Sequence, residues 1–368
     1  MLGPLGNYNG SRYIYVRMAS ACPQTEAEQL HWLSFFALNG QEAREEASDA
    51  VALMPEEALQ ALLQLADLHH VLVRIFGSIA GRPDSLSRPI TERQCGTCRT
   101  IALAAAICEA LEQHGCPAMA IKSTDHWPDL GNDFDLFTTG EVERVHQVMR
   151  EQFHAETTAQ NWGDRLANKW NFRVPDLKPL VEIHIGRLGQ TGELRHYGEE
   201  LMERRQRRVF GDTPLWVPSC EDQVILGTLQ RLYRHYFYRV CDFADLREVI
   251  RTLEFEQLRQ IAKRHGVWQG VATHLRVVNE YITHYTGGPF QLPARVRKSA
   301  RFGVVRLYPH AGYLRLPLFP QGATLWGTQL IKTWNRRNRA GALRLGLIPP
   351  LAAAASATYT VTGRQRIW

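Results

Sequence analysis

Two short segments hold the residues with the most chemical potential: Asp133-Phe134-Asp135-Leu136-Phe137 and Val181-Glu182-Ile183-His184-Ile185. Side chains alternate between the two faces of a strand. Asp133 and Asp135 would therefore share one face, roughly 6–7 Å apart, while Phe134 and Leu136 turn into a core. Aspartate is depleted in strands, so two at alternate positions point to a role other than packing. The second segment repeats the pattern, with Val181, Ile183 and Ile185 inward and Glu182 and His184 on the opposite side. If the two strands are neighbours, three carboxylates converge. Such an oxygen-donor set with open positions suits Mg²⁺, which keeps waters and recruits substrate phosphates. His184 is expected to orient or pack rather than to ligate. The competing reading of Asp133 and Asp135 is a solvated turn, given Gly131-Asn132 just before them. Glu182 taken alone reads as an ordinary surface-facing strand residue.

The elements needed to position these groups can be followed along the chain. A helix over 97–114, stopped by Gly115 and Pro117, leads into the apolar run 118–122, a buried strand ending in Lys122. After the loop to Asp133 comes the aspartate strand, then an amphipathic helix over 141–154 with Val142, Val145, Val148, Met149 and Phe153 on one side. Further strands are predicted at 170–174 and 180–185. This order gives a small α+β unit with a mixed sheet, flanked by helical regions. Upstream, helices are predicted at 24–38, 41–53 and 55–76, followed by a Gly-, Pro- and Ser-rich linker over 77–93. Downstream, Ser219 is an N-cap, with Glu221 and Asp222 at the positive end of the helix dipole. The helices that follow run to a stop at Gly287-Gly288-Pro289. The predicted units are 1–90 (helical region and linker), 91–215 (catalytic α+β domain), 216–288 (helical bundle) and 289–368 (basic, irregular extension).

The run Ala120-Ile121-Lys122-Ser123, then Trp127-Pro128, Asp133-Phe134-Asp135-Leu136 and Val181-Glu182-Ile183-His184 resembles the polymerase-beta-type nucleotidyltransferase superfamily. Within it, the chain is similar to a bacterial branch with a lysine at the strand end, an aspartate-x-aspartate strand and an acidic-x-histidine strand. The resemblance extends through Pro218-Ser219-Cys220-Glu221-Asp222 and His235 to Asp245-Leu246. It implies metal-dependent transfer of a nucleoside monophosphate from an NTP, ATP among them, to an acceptor, with pyrophosphate leaving. Asp133, Asp135 and Glu182 would be the catalytic residues and would hold two Mg²⁺ ions that stabilise the attacking and leaving oxygens. Lys122 and Ser123 would meet the phosphates. The chain departs from the superfamily where Lys122-Ser123-Thr124 stands in place of a glycine followed by glycine or serine, which lets backbone approach closely. It departs again in lacking an arginine just before Asp133, so a basic contact to the triphosphate is either missing or supplied from elsewhere, and the departures imply either an altered donor or a degenerate, non-catalytic member.

Other clusters offer rival chemistry. Cys95-Gly96-Thr97-Cys98, read as a helix start, would suit a redox or zinc site, but no apolar strand precedes it. Lys122 also reads as a snorkelling strand end. His69-His70 reads as a helix-surface pair, Arg204-Arg205-Gln206-Arg207-Arg208 as a solvated basic face, and Tyr233, Tyr236, Phe237 and Tyr238 as bundle core. The 368 residues are 45% hydrophobic and 22% charged, which argues against disorder and for a folded chain of one to three domains. No apolar run reaches a spanning length, and the start, whether Met1 or Met18, lacks the pattern of a secretory signal. With seven scattered cysteines, this predicts a cytoplasmic protein with reduced thiols. The last acidic residue is Glu280, so residues 281–368 carry +13 and residues 1–280 carry −7. That tail, with Tyr308, Tyr313, Trp326 and Trp334 interleaved, supplies the alternative function: a non-catalytic protein that binds nucleic acid through residues 291–368. The same charge would attract anionic lipid, or fold back on the acidic remainder.

Overall fold

The computed structural model describes residues 23, 25–40, 51, 53–77, 84–302 and 307–350. The helix predicted at 41–53 lies almost wholly outside them. Its first helices are α1 (Glu26–Leu38), α2 (Glu56–Leu68), α3 (Leu72–Phe76) and α4 (Asp84–Gln113). Thr25 caps α1 in a reciprocal box with Glu28. The helix predicted over 55–76 breaks at His69-His70, where His70 takes φ 52°. Both histidines are buried, so they are not a surface pair.

The predicted linker over 77–93 is replaced, from Asp84 on, by the first turns of α4, with Pro89 inside the helix. Leu86 and Ile90, four residues apart, are both fully buried. Their burial outweighs the low helix propensity of the segment. Cys95 and Cys98 therefore sit exposed in mid-helix rather than at a helix start. That removes the dipole argument for a redox pair.

A five-stranded sheet follows: β1 (Ala118–Ala120), β2 (Phe134–Thr138), β3 (Glu156–Thr157), β4 (Lys169–Arg173) and β5 (Val181–Ile185), in the order β1-β2-β5-β4-β3. Strands β2 and β5 are parallel, and the other pairs are antiparallel. Helix α5 (Val142–Phe153) and the short α6 (Trp162–Ala167) lie between the strands. One sheet face buries Phe134, Leu136, Val181, Ile183 and Ile185 with Ile101, Ile107 and Leu111 of α4 and Val145, Val148 and Met149 of α5. The fold class is α+β, as the sequence predicts.

The other face turns toward the C-terminal helices. Phe137 packs there against α7 (Arg195–Glu203), so closely that a Cβ on Gly198 would sit 2.6 Å from the Phe137 Cζ. A hairpin of β6 (Gln206–Phe210) and β7 (Thr213–Val217) then lies beside β1 and α4. The bundle comprises α8 (Cys220–Thr228), a π-helical turn (Leu229–His235), β8 (Phe237–Tyr238), α9 (Val240–Val249), α10 (Phe255–Arg264) and α11 (Trp268–Thr286). Ser219 caps α8 by accepting from the Asp222 amide. The described residues beyond Gly288 are not the irregular extension predicted. They form α12 (Ala294–Ser299), β9 (Tyr308–His310), β10 (Tyr313–Arg315), α13 (Ala323–Asn335) and α14 (Arg339–Gly346). β10 pairs with β8 and so joins this segment to the bundle. No described helix is long and apolar enough to cross a membrane.

Candidate active site

The parallel register of β2 and β5 sets Asp135 directly beside Glu182. With Phe134, Leu136, Val181 and Ile183 drawn into the core, both carboxylates project from the opposite face, toward the bundle. Asp135, Glu182 and His184 each offer a ligand atom within 4.8 Å of the others. His184 Nε2 is 3.1 Å from Asp135 Oδ1, while its buried Nδ1 has no partner. Asp133 stands just before β2. Its carboxyl lies outside the 4.8 Å group but close enough for the charge of Asp135 to act on it. Burial first, and then Asp135, push its pKa up.

Each central carboxylate holds a lysine. Lys122 Nζ donates to Asp135 Oδ1 at 2.8 Å and lies 3.2 Å from His184 Nε2. It reaches them from a backbone with a positive φ of 60°, a region that favours glycine. Ser123 donates from Oγ to the Asp133 carbonyl at 2.9 Å and accepts the Asp135 amide at 3.0 Å. It thereby fixes the start of β2. Glu182 Oε2 accepts from Lys169 Nζ at 2.9 Å, and the same amine lies 2.9 Å from Asp164 Oδ1.

These partners divide the two acids. Burial alone would raise Asp135, but Lys122 and His184 outweigh it and hold the carboxyl well below its ordinary range. Glu182 moves up, through burial and then the charge of Asp135, despite Lys169. His184 is pushed down to about 3 by burial and Lys122, so its ring is neutral at physiological pH. Burial opposes the charge of Lys169, yet Glu182 and Asp164 raise its pKa.

The structure thus gathers Lys122, Ser123, Asp135, Glu182 and His184 into one contact set, with Asp133 at its edge. Lys169 and Asp164 were not predicted. The available signal was the alternation Lys169-x-Asn171, which the register sets opposite His184 and Glu182. As a donor set, the paired carboxylates of Asp135 and Glu182 are of the oxygen type that Mg²⁺ prefers, with the His184 imidazole beside them and Asp133 at the edge. Lys122 and Lys169 supply the compensating positive charge from the protein itself.

A crystal structure of an antigenic nucleotidyltransferase-like protein from Paracoccidioides brasiliensis is similar over 45% of this chain and 85% of its own, at 12% identity and a TM-score of 0.30. No curated protein matches the chain significantly. The family described as uncharacterised nucleotidyltransferase matches residues 55–283, which include the sheet, the site and the bundle, and the chain belongs to that family.

Proposed function

We propose that the protein transfers a nucleoside monophosphate from an NTP to an acceptor and releases pyrophosphate. The observation that carries this reading is the pairing of Asp135 with Glu182 across the parallel β2–β5 register, with His184 completing a group within 4.8 Å. Asp133, Asp135 and Glu182 would hold Mg²⁺, which when bound supplies charge stabilisation for the phosphoryl oxygens. The protein's own part is to position and to hold protons. Asp135 stays ionised against Lys122. Glu182, whose pKa is raised, is the better proton acceptor for an incoming hydroxyl. Lys122 lies at the strand end with its amine among these groups, where it can turn from Asp135 to a phosphate oxygen.

The test is calorimetric titration with each of the four NTPs, with Mg²⁺ and with EDTA, alongside NTP turnover. Wild type and the Asp133→Asn/Asp135→Asn double variant are compared. Metal-dependent binding and pyrophosphate release that vanish in a folded double variant are the expected result. Equal NTP consumption by both proteins would overturn the proposal.

A further inference from the structure

The bundle face beside the carboxylates contains an unusual concentration of guanidinium groups. Arg231, on the π-helical turn Leu229–His235, is 1% exposed. Its Nε lies 2.8 Å from Asp242 Oδ2, but neither terminal nitrogen has a hydrogen-bond partner. Arg239 and Arg315 each have a buried Nε without a partner. Among the described residues, neither of these two forms an ion pair. The β8–β10 register places Arg315 opposite Phe237. The rings of Phe237 and Tyr313 lie 4.2 Å apart, and the guanidiniums of Arg231, Arg239 and Arg315 sit 5.7, 5.6 and 5.4 Å from the Phe237 centroid. Arg239 and Arg315 are also each 5.7 Å from the Tyr313 centroid.

Three cations around one aromatic pair repel one another, and buried N–H groups without acceptors are costly. Cation–π contact with Phe237 and Tyr313 offsets part of that cost and fixes the guanidinium planes. It leaves the N–H edges free for an anion that the guanidinium fork can grip, carboxylate or phosphate, and the neighbouring site read as a nucleotidyl-transfer centre selects phosphate. A π-helical turn, rare elsewhere, is common at functional sites. The cluster also adjoins the carboxylates: Arg239 is near enough to act on Asp133, and Lys122 on His235 of the same turn. His70, with both ring nitrogens buried and unpartnered, is close enough for the charges of Arg239 and Arg231 to act on it.

We propose that Arg231, Arg239 and Arg315 form a polyphosphate site, and that its occupant is the triphosphate of the donor nucleotide. The choice of a nucleotide as occupant rests on the nucleotidyl-transfer reading; the anion site does not.

Inorganic tripolyphosphate is the probe, titrated calorimetrically in EDTA into the full chain and into Arg239→Gln, Arg315→Gln and Arg297→Gln. The last removes the same charge from an exposed helical position. Arg231 is left intact because, buried with its Nε against Asp242, its replacement would test folding together with anion binding. We expect about tenfold weaker binding in each of the first two variants, unchanged binding in the third, and unchanged melting temperatures. NTP binding should weaken by the same factor, and tripolyphosphate should displace NTP. Unchanged binding in Arg239→Gln and Arg315→Gln, or equal loss in Arg297→Gln, overturns the site. Tripolyphosphate binding that depends on the arginines but leaves NTP undisplaced overturns the donor assignment and makes the occupant a phosphorylated acceptor. The Asp133→Asn/Asp135→Asn protein separates this from failure of the catalytic reading, because its tripolyphosphate binding in EDTA should persist whether or not wild type turns over.

Discussion

Lys169 is the residue on which the carboxylate pair most depends, because it is 5% exposed and joins Glu182 to Asp164 through one ammonium. Asp164 is itself 2% exposed and accepts from Asn171 Nδ2 at 3.2 Å. Removing the lysine would strand two acids in a desolvated place. A broken buried ion pair costs far more than a surface one, because the remaining charge must be neutralised or hydrated. Lys169→Met should therefore destabilise the protein by about 3 kcal/mol, read from the shift of a urea transition. Lys122→Met leaves one acid, Asp135, which is 14% exposed and keeps His184 as a partner, so it should cost less stability than Lys169→Met in the same assay. An equal cost in both variants would mean that stranding the second acid, Asp164, adds nothing.

At the scale of elements, the loop that presents Lys122 and Ser123 is fixed by a network from three separate segments. Asp245 of α9 accepts from Arg74 of α3 and contacts His126 Nδ1 at 2.6 Å, while Asp129 accepts the Val73 and Arg74 amides at 2.9 and 3.0 Å. Burial disfavours the His126 imidazolium, but Cys241 and Asp245 outweigh it and raise its pKa well above the ordinary value. A raised folded-state pKa gives stability that is complete below the unfolded value of about 6.5 and is lost as pH rises through the folded one. The stability gap between wild type and Asp245→Asn should accordingly be widest near pH 6 and narrow toward pH 9 in denaturant titrations. A gap that is constant, or that widens with pH, would show that His126 is not charged in the fold. The sequence discloses this architecture unevenly. Period-two alternation in 133–137 and 181–185 puts Asp135, Glu182 and His184 on one shared face, because the other face of each strand is apolar throughout. It gives no warning of the Arg231, Arg239 and Arg315 cluster, whose members come together only when β10 pairs with β8. The first turns of α4 are hidden by Pro89 and the serines around it, whose local preferences lose to the burial of Leu86 and Ile90. His69 is equally hidden, since only the fold shows its ring between the Val240 amide and the Gly312 carbonyl.

For the whole molecule, the charge division at Glu280 does not mark a detachable tail. Buried Glu193 accepts from Gln329 Nε2 of α13 at 2.7 Å and from the Thr191 amide at 2.9 Å, and its carbonyl accepts from Asn338 at 2.9 Å. Arg344 of α14 donates to the Thr191 and Gly192 carbonyls, Arg295 pairs with Glu256 at 2.6 Å, and β10 completes the small sheet on β8. Few of these contacts are ion pairs, so the segment is held by hydrogen bonds and burial rather than by neutralising the acidic body. Deleting residues 289–368 would uncover Glu193 and the edge of β8 and would remove Arg315. The truncated chain should melt at a clearly lower temperature than the full chain in scanning calorimetry, and its tripolyphosphate binding should fall at least as far as that of Arg315→Gln. Nucleic-acid binding through the basic segment is therefore better tested by charge substitution at exposed positions such as Arg297, Lys298, Arg337 and Arg339. A phosphate-backbone interface there would show affinity that falls steeply with salt and a salt slope that shrinks with each arginine removed. Unchanged melting of the truncated chain would mean instead that 289–368 is an appended unit, and would return the alternative function to that segment alone.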